Sequence, residues 1–500
     1  MNLRRSLFLQ IALFAFAFPV IAQQNPGTPW CGTTGMTPWM QWYQSHRAEL
    51  ALQRGVDTAW LYVPVTIHIV GDDSGNGYYS MEKAFRIICE MNEQYEEARM
   101  HFYLLPGDAF RFHNKTSWYV HDWDGGSEMI NANKLPNRVN AFIVADPAGN
   151  CGYSWQDAIV MGKNCSGEGN STWAHEAGHH FSLPHPFLGW ENQSWDYSKP
   201  APKKIGWRDV EKTDKSNCYT SGDGFCDTPA DYLNFRWPCN GSGESVQTQV
   251  DPDSVVFRSD ATLYMGYALD ACSGRFTPEQ ITAMRTNLQT EHQSYLQLSE
   301  ALPLLDDSVA VSLVSPIDTQ IVHFQNPELK WNMVPGVTFY SVEVSVLPSF
   351  VPRIFSATVT NGNSVIVNRN LPKNYLLYWR VKVYSEGDLC NPNEVLQTGV
   401  FRTQDLTATN ELERNLGLDL SPNPVSSGIP AQLTLSTEQG MEVLLEINDA
   451  AGRSCRKEVL NVMPGENRIS LETSGLASGM YFITLRNAQG AITKRLAVTE

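Results

Sequence analysis

His175-Glu176-Ala177-Gly178-His179-His180-Phe181-Ser182-Leu183-Pro184-His185 is the stretch on which the reading of this chain turns. On a helix, His175 and His179 lie about one turn apart, so both imidazoles leave the same face. Glu176 follows the first His and can reach a water on the same metal. His185 completes a set of three imidazoles for Zn²⁺ and leaves the fourth position open. Such an ion lowers the pKa of a bound water from about 15.7 towards roughly 7, and Glu176 accepts its proton as the water attacks a carbonyl.

Chance is a poor rival to this reading. With 11 His and 53 acidic residues in 500, a His-acid-x-x-His spacing arises about 0.03 times per chain of this composition. The bland alternative is a surface helix with solvated side chains. A purely structural zinc site is another, but it normally takes a fourth protein ligand, often Cys, and has no use for Glu176. If the helix simply continued, His185 would lie far from His179 along its axis, so the chain must reverse between them. Pro184 predicts a helix end near Phe181 to Leu183.

A second pattern lies downstream: Met265-Gly266-Tyr267, Cys272, Phe276-Thr277, Gln280 and Met284. Between it and the His motif stands Gly222-Asp223-Gly224-Phe225-Cys226-Asp227-Thr228-Pro229. These ordered motifs resemble the pappalysin (cytophagalysin) branch of the metzincin zinc peptidases. The resemblance implies an α+β metzincin-like catalytic domain over 57–303. Met265 would form the apolar floor beneath the metal, and Tyr267 would donate a hydrogen bond to the developing oxyanion. Metzincins place Gly where this chain has Ser182, at the point where the backbone leaves the helix with positive φ. Ser in that conformation costs roughly 1 kcal/mol relative to Gly, which a packed site can absorb.

The resemblance carries further expectations. Cys218, Cys226, Cys239 and Cys272 allow three connectivities; the family places disulfides here, and Cys218–Cys239 with Cys226–Cys272 is the preferred pairing. Cys151 and Cys165 are candidates for a short pair before the zinc helix. Metallopeptidase zymogens can fill the open zinc position with a propeptide thiolate, and Cys31, within a propeptide expected over 23–56, is the candidate switch. Asp270 falls near where metzincins build the pocket for the residue after the cut, and a carboxylate there would favour Lys or Arg. Asp223 and Asp227 are oxygen ligands of the kind Ca²⁺ takes, although a turn with solvated acids would read the same.

The net charge of −16 and pI of about 5.2 favour solubility and argue against nucleic acid or anionic membrane as partners. Arg4 and Arg5, an apolar run from Leu7 to Phe18 and Val20-Ile21-Ala22 predict a signal peptide over 1–22. No later segment is apolar enough for long enough to span a bilayer. Ten cysteines fit an oxidising compartment.

Leu61 to Val70 reads as a β-strand, with His68 a packed core residue. Ser80 is placed to cap a helix whose Met81, Ala84, Phe85, Ile88 and Met91 recur at helical spacing. Further strands are expected over Asn140–Ala145 and, at a sheet edge near the cleft, Asp157–Met161. A last helix is expected from Pro278 to Tyr295.

Two small all-β (sandwich) domains are expected to follow. Residues 308–404, with Trp331, Tyr340 and Tyr378-Trp379-Arg380-Val381, alternate as sandwich strands do and resemble a fibronectin type III module. Residues 414–500, with Leu420-Ser421-Pro422-Asn423-Pro424, Gly452-Arg453 and Ser478-Gly479-Met480-Tyr481, resemble a type IX secretion sorting domain. These readings combine into a zinc-dependent endopeptidase acting on proteins or peptides. It would be handled by the type IX machinery and released from, or attached to, the surface of a Gram-negative cell. The alternative is a non-catalytic surface adhesin on a degenerate peptidase fold.

Overall fold

A computed structural model describes residues 30–53, 58–305, 311–390, 397–406, 416–450, 452–487 and 490–499. The expected signal peptide over 1–22 lies outside them. The chain forms two compact units, 1–304 with 386–391, and 305–385 with 392–500. Helices are few and strands many.

The first unit opens with α1 (Pro38–Gln53), β1 (Leu61–Gly71), α2 (Met81–Gln94), β2 (Met100–Leu104) and β3 (Phe110–Asn114). Next come the short α3 (Thr116–Tyr119) and β4 (Val120–His121), then α4 (Trp123–Asn133), β5 (Val139–Val144), β6 (Asp146–Pro147), β7 (Gly152–Trp155) and β8 (Ala158–Gly162). Its main sheet has the order β2-β1-β5-β8-β7, with β3 also paired to β1. All of these pairings are parallel except β7 with β8. A central parallel strand is covered on both faces, which is why β1 reads as a nearly unbroken apolar run. His68 is buried in it, between His113 Nε2 at 3.0 Å and Asn140 Oδ1 at 3.2 Å, and burial lowers its pKa to about 3.

The expectation of an edge strand over Asp157–Met161 is corrected. β8 pairs on both sides, and β7 is the edge. The chain folds back between them at Gln156 and Asp157, with φ of 50° and 65°, the positive values a two-residue hairpin turn requires. Ser80 stands at the start of α2, but its hydroxyl makes no capping bond. That helix is held by the burial of Ala84, Phe85, Ile88 and Met91 against the sheet side of the fold.

Two helices complete the unit, α5 (Thr172–His180) and α6 (Pro278–Thr290). α6 begins with Thr277 Oγ1 accepting from Gln280 N while Gln280 Oε1 accepts from Thr277 N, and with Pro278 in its first turn. That reciprocal cap satisfies two backbone donors the helix cannot satisfy itself. The helix expected to reach Tyr295 ends at Thr290, and residues 293–295 form a separate 3₁₀ turn.

In the second unit, the strands from Leu313–Ser315 to Gly399–Gln404 form one three-stranded and one five-stranded sheet, packed around Trp331, Tyr340 and Trp379. The strands from Gly417–Ser421 to Gly490–Thr499 repeat that division around Leu433, Leu445 and Ile483. No helix among the described residues is long and apolar enough to cross a membrane.

Thr277→Ala removes one half of the α6 cap and is expected to lower stability by about 1 kcal/mol. The shift of the urea midpoint at unchanged slope reads this loss directly.

Candidate active site

α5 carries His175, Glu176 and His179 and is buried along its whole length. It stops after nine residues because the chain leaves it through a left-handed Ser182, φ 72°. Ser182 N donates to His179 O at 2.8 Å and Leu183 N to Gly178 O at 2.9 Å, the paired bonds that close a helix before a reversal. Asn287 Nδ2, from α6, donates to Ser182 Oγ at 3.1 Å, so a serine at this position has a partner that glycine would lack. The reversal brings His185 back beside His179.

The three imidazoles are oriented by different acceptors. His175 Nδ1 lies 2.7 Å from Tyr264 O, His179 Nδ1 2.7 Å from Leu183 O, and His185 Nδ1 3.2 Å from Glu191 Oε1. Carbonyls and a carboxylate can only accept, so each Nδ1 carries the proton and each Nε2 presents a lone pair. Those lone pairs face one another at 3.0, 3.0 and 3.3 Å. Burial holds His175 and His179 well below the usual imidazole pKa, which keeps them neutral. Three mutually facing lone pairs repel, and a cation placed between them removes that repulsion. Bonds of 2.0–2.1 Å in tetrahedral geometry separate ligand nitrogens by about 3.3–3.4 Å, so the donor set fits Zn²⁺.

Glu176 is fully buried. Oε2 accepts from Thr33 Oγ1 at 3.3 Å and Oε1 has no hydrogen-bond partner. Burial pushes its pKa up to about 8. Met265 lies under the helix, and a Cβ on Gly178 would come within 2.4 Å of Met265 Sδ. Glycine at 178 is therefore what lets the methionine reach α5. Tyr267 is buried against the rings of His175 and His185, and its hydroxyl donates to Cys31 O at 3.3 Å. Burial raises its pKa well above the usual value, so it stays a donor.

The N-terminal segment fills the mouth of this site. A single ligand atom from each of Cys31, His175, His179 and His185 lies within 4.8 Å of all the others. Trp30 packs at a tilt against His175, with ring centroids 4.5 Å apart, and meets Tyr267 edge-on at 5.2 Å. Gly32 N donates to Gly152 O at 2.9 Å and Ser154 N to Thr33 Oγ1 at 2.8 Å, so residues 30–33 lie along the open edge of β7. Beyond them a cleft of about 930 Å³ continues past Trp39, Trp42, Trp155 and His179.

The disulfide expectation is corrected: Cys218 bonds to Cys226 and Cys239 to Cys272. Gly222 and Gly224, at φ 45° and 82°, turn the chain back so that Cys226 meets Cys218. Trp237 and Ala268 pair as neighbouring extended segments, and that pairing aligns Cys239 with Cys272. Cys151 is bonded to Cys165, and Cys89 to Cys390, a pair not anticipated from the sequence.

Asp270 is already engaged. Its Oδ1 accepts from Ser171 N and Oγ at 3.2 and 2.7 Å, and its Oδ2 pairs with Arg236 at 3.0 Å. Asp223 and Asp227 each keep one buried oxygen without a partner, and so does Glu211, which sequence reasoning missed. Burial, and next the charge of Asp223, push Glu211 up to about 10, while burial pushes Asp223 up to about 8. Thr33, Glu191 and Asn287 were also missed, because the backbone brings them in from elsewhere and no local spacing marks them.

Comparison with known proteins places the C-terminal segment. Residues 420–499 match the family described as secretion system C-terminal sorting domain. This segment is a type IX sorting domain. It marks the chain for secretion or attachment to the outer surface of a Gram-negative cell. Extracellular metalloprotease 1 of Coccidioides posadasii is 25% identical over 291 residues, covering 55% of this chain and 94% of that protein. A promirolysin variant from Tannerella forsythia aligns with a TM-score of 0.36 and 15% identity over 54% of this chain and 98% of its own. The chicken CNTN1 FN1–FN3 domains align with a TM-score of 0.19 and 15% identity, over 38% of this chain and 68% of theirs.

Gly178→Ala must displace Met265 and is expected to cost about 1–3 kcal/mol through overpacking. Thermal unfolding of the two proteins side by side measures it.

Proposed function

We propose that the chain is a secreted zinc endopeptidase of pappalysin (metzincin) type, held latent by its own N-terminal segment. The observation that carries this reading is the convergence of three Nε2 lone pairs beside a buried, half-partnered Glu176. Zinc, when bound by His175, His179 and His185, would activate water and polarise the scissile carbonyl. Glu176 takes the proton of the attacking water and returns it to the leaving amine, a task suited to a carboxyl whose pKa burial has raised. Tyr267, whose hydroxyl now points at the Cys31 carbonyl, donates instead to the substrate oxyanion. Residues 30–33 occupy the strand edge that an extended peptide would use, so substrate entry requires their departure. The 308–404 module is read as a fibronectin type III-like spacer.

Cys31 is the proposed latch: as a thiolate it would close the fourth zinc position. A structural three-His, one-Cys site would use the same four residues, and Glu176 separates the two readings. Asp270 is proposed to line the pocket beyond the cut, where a basic side chain would have to compete with Arg236. Asp270→Ala should change the cleavage profile at that position.

The experiment is cleavage of a peptide library by the full chain and by Cys31→Ala, with zinc measured on the same samples. Cys31→Ala is expected to cut without trimming, at least tenfold faster than the intact chain, and to lose activity to a zinc chelator. Glu176→Ala in that background should keep its zinc and lose about 10²–10⁴-fold in kcat/KM. Zinc bound by both proteins with no peptide cut, even after residues 23–56 are removed, would instead favour the structural site and the adhesin reading.

Ca²⁺ is proposed at the 222–228 turn, held by Asp223, Asp227 and Glu211, whose unpartnered buried oxygens are the donor type it takes. Millimolar Ca²⁺ should raise the Tm of the chelator-treated protein by several degrees, and Asp223→Asn should abolish that rise. An unchanged Tm in the parent protein would rule the site out.

A further inference from the structure

A second group of side chains of the metal-ligand type gathers at the C-terminal end of α5. His180 is the last residue of α5, Asp157 sits in the turn between β7 and β8, and His292 follows the end of α6. One ligand atom from each lies within 4.8 Å of the other two. Asp157 Oδ1 is 4.0 Å from His180 Nε2 and 3.7 Å from His292 Nδ1, and it also accepts from the Tyr295 hydroxyl at 3.3 Å. All three residues line the cleft that runs past His179.

The decisive observation is His180. Its side chain is 1% exposed, yet neither ring nitrogen has a hydrogen-bond partner. A neutral imidazole always presents one N–H and one lone pair, and leaving either unmet in the interior costs about 1–3 kcal/mol. Leucine or phenylalanine would fill the same volume without that cost. The nitrogen that faces Asp157 points towards the exposed end of the group, where the Asp157 side chain is 49% exposed and His292 12%. The backbone reinforces the point. Asp157 takes φ 65° in a hairpin turn where glycine or asparagine is the easier choice, so the carboxylate is held there at the expense of local conformation.

We propose that Asp157, His180 and His292 form a second transition-metal site, a two-imidazole, one-carboxylate set of the kind that takes Zn²⁺ or Co²⁺. In a zinc centre, ligand atoms stand about 3.4 Å apart. The carboxylate stands 4.0 and 3.7 Å from the two imidazoles, and every separation in the group is within 4.8 Å, so the ligands must close in on the ion. The two residues that must move are the exposed turn residue and a residue beyond a helix end, while the buried His180 stays fixed. The bound ion would tie together the β7–β8 hairpin, α5 and the end of α6, which are three walls of one cleft. The site needs neither Glu176 nor the three-histidine set, so it stands or falls separately from the proposed peptidase chemistry.

The test is metal stoichiometry on untagged, chelator-stripped full chain, titrated with Zn²⁺ against a chromophoric chelator. Two tight equivalents are expected. Asp157→Asn with His292→Gln should leave one tight equivalent and weaken the other at least tenfold. His185→Gln should also leave one, and that one should now be lost on adding Asp157→Asn. Asn tolerates positive φ, so Asp157→Asn alone serves if the double variant fails to fold. Co²⁺ gives an independent reading, since the spectrum of the second equivalent should disappear in Asp157→Asn and persist in His185→Gln. One equivalent in the parent chain, or two that survive loss of Asp157 and His292, overturns the proposal.

Discussion

Three lone pairs pointed at one another are the constraint around which the first unit is arranged. Each exists because its ring's other nitrogen keeps the proton and donates it in a hydrogen bond to a fixed acceptor, and the acceptors come from separate parts of the chain. Tyr264 O belongs to the segment that also carries Met265 and Tyr267, Leu183 O to the helix exit, and Glu191 to the stretch after His185. Moving any of these turns an imidazole. The left-handed Ser182 is held by Asn287 of α6, and the close approach of Met265 depends on the missing side chain at Gly178. Strain at one residue and the absence of a Cβ at another thus serve the same end, which is a triangle of nitrogens about 3 Å on a side.

The N-terminal segment is built into this arrangement rather than laid over it. Thr33 bonds to Glu176 and to the backbone of Ser154, Trp30 packs at a tilt against His175, and the Cys31 carbonyl accepts from the hydroxyl of Tyr267. α1 continues the contact, with Gln44 donating to Asp223 O at 2.7 Å and Arg47 to Gly224 O at 2.9 Å. The segment therefore touches two of the proposed ion sites, the three-histidine site through Cys31 and the 222–228 turn through α1. Its release would free Glu176, Tyr267 and the 222–228 turn together, which ties the proposed latency to the loops that shape the site.

What the sequence disclosed follows the range over which each interaction acts. His175, Glu176 and His179 sit within one helical turn, so spacing alone places them together. His185 is readable one step further out, because Pro184 limits the helix and the reversal has few solutions. The strand over Leu61–Val70 and the helix from Pro278 are legible for the same local reason, burial pattern in one and cap chemistry in the other. The rest is tertiary. Nothing near Glu211 in sequence says that it will be buried with Asp223, and nothing near His180 announces His292. The disulfide pairing went astray because two glycines at positive φ decide where Cys226 returns, and a family likeness does not specify that turn. The edge position was misassigned by one strand, since alternation shows that a strand exists and not which neighbours it takes.

Between α5 and α6 the chain supplies Glu191, Glu211, Tyr264, Met265, Tyr267 and Asp270 with almost no regular secondary structure: the strands there are two residues each. Few backbone ladders hold those side chains in place, so other restraints must. Two of the disulfides fall in this stretch, Cys218–Cys226 beside the 222–228 turn and Cys239–Cys272 bracketing the Tyr264–Tyr267 segment. A cross-link of this kind acts chiefly by limiting the unfolded chain, by about 2–4 kcal/mol in typical cases, and it persists only under oxidising conditions. The sorting domain that exports the chain therefore also delivers it to the environment in which these loops can be fixed. Export and the geometry of the three-histidine site are linked through the same sulfur atoms.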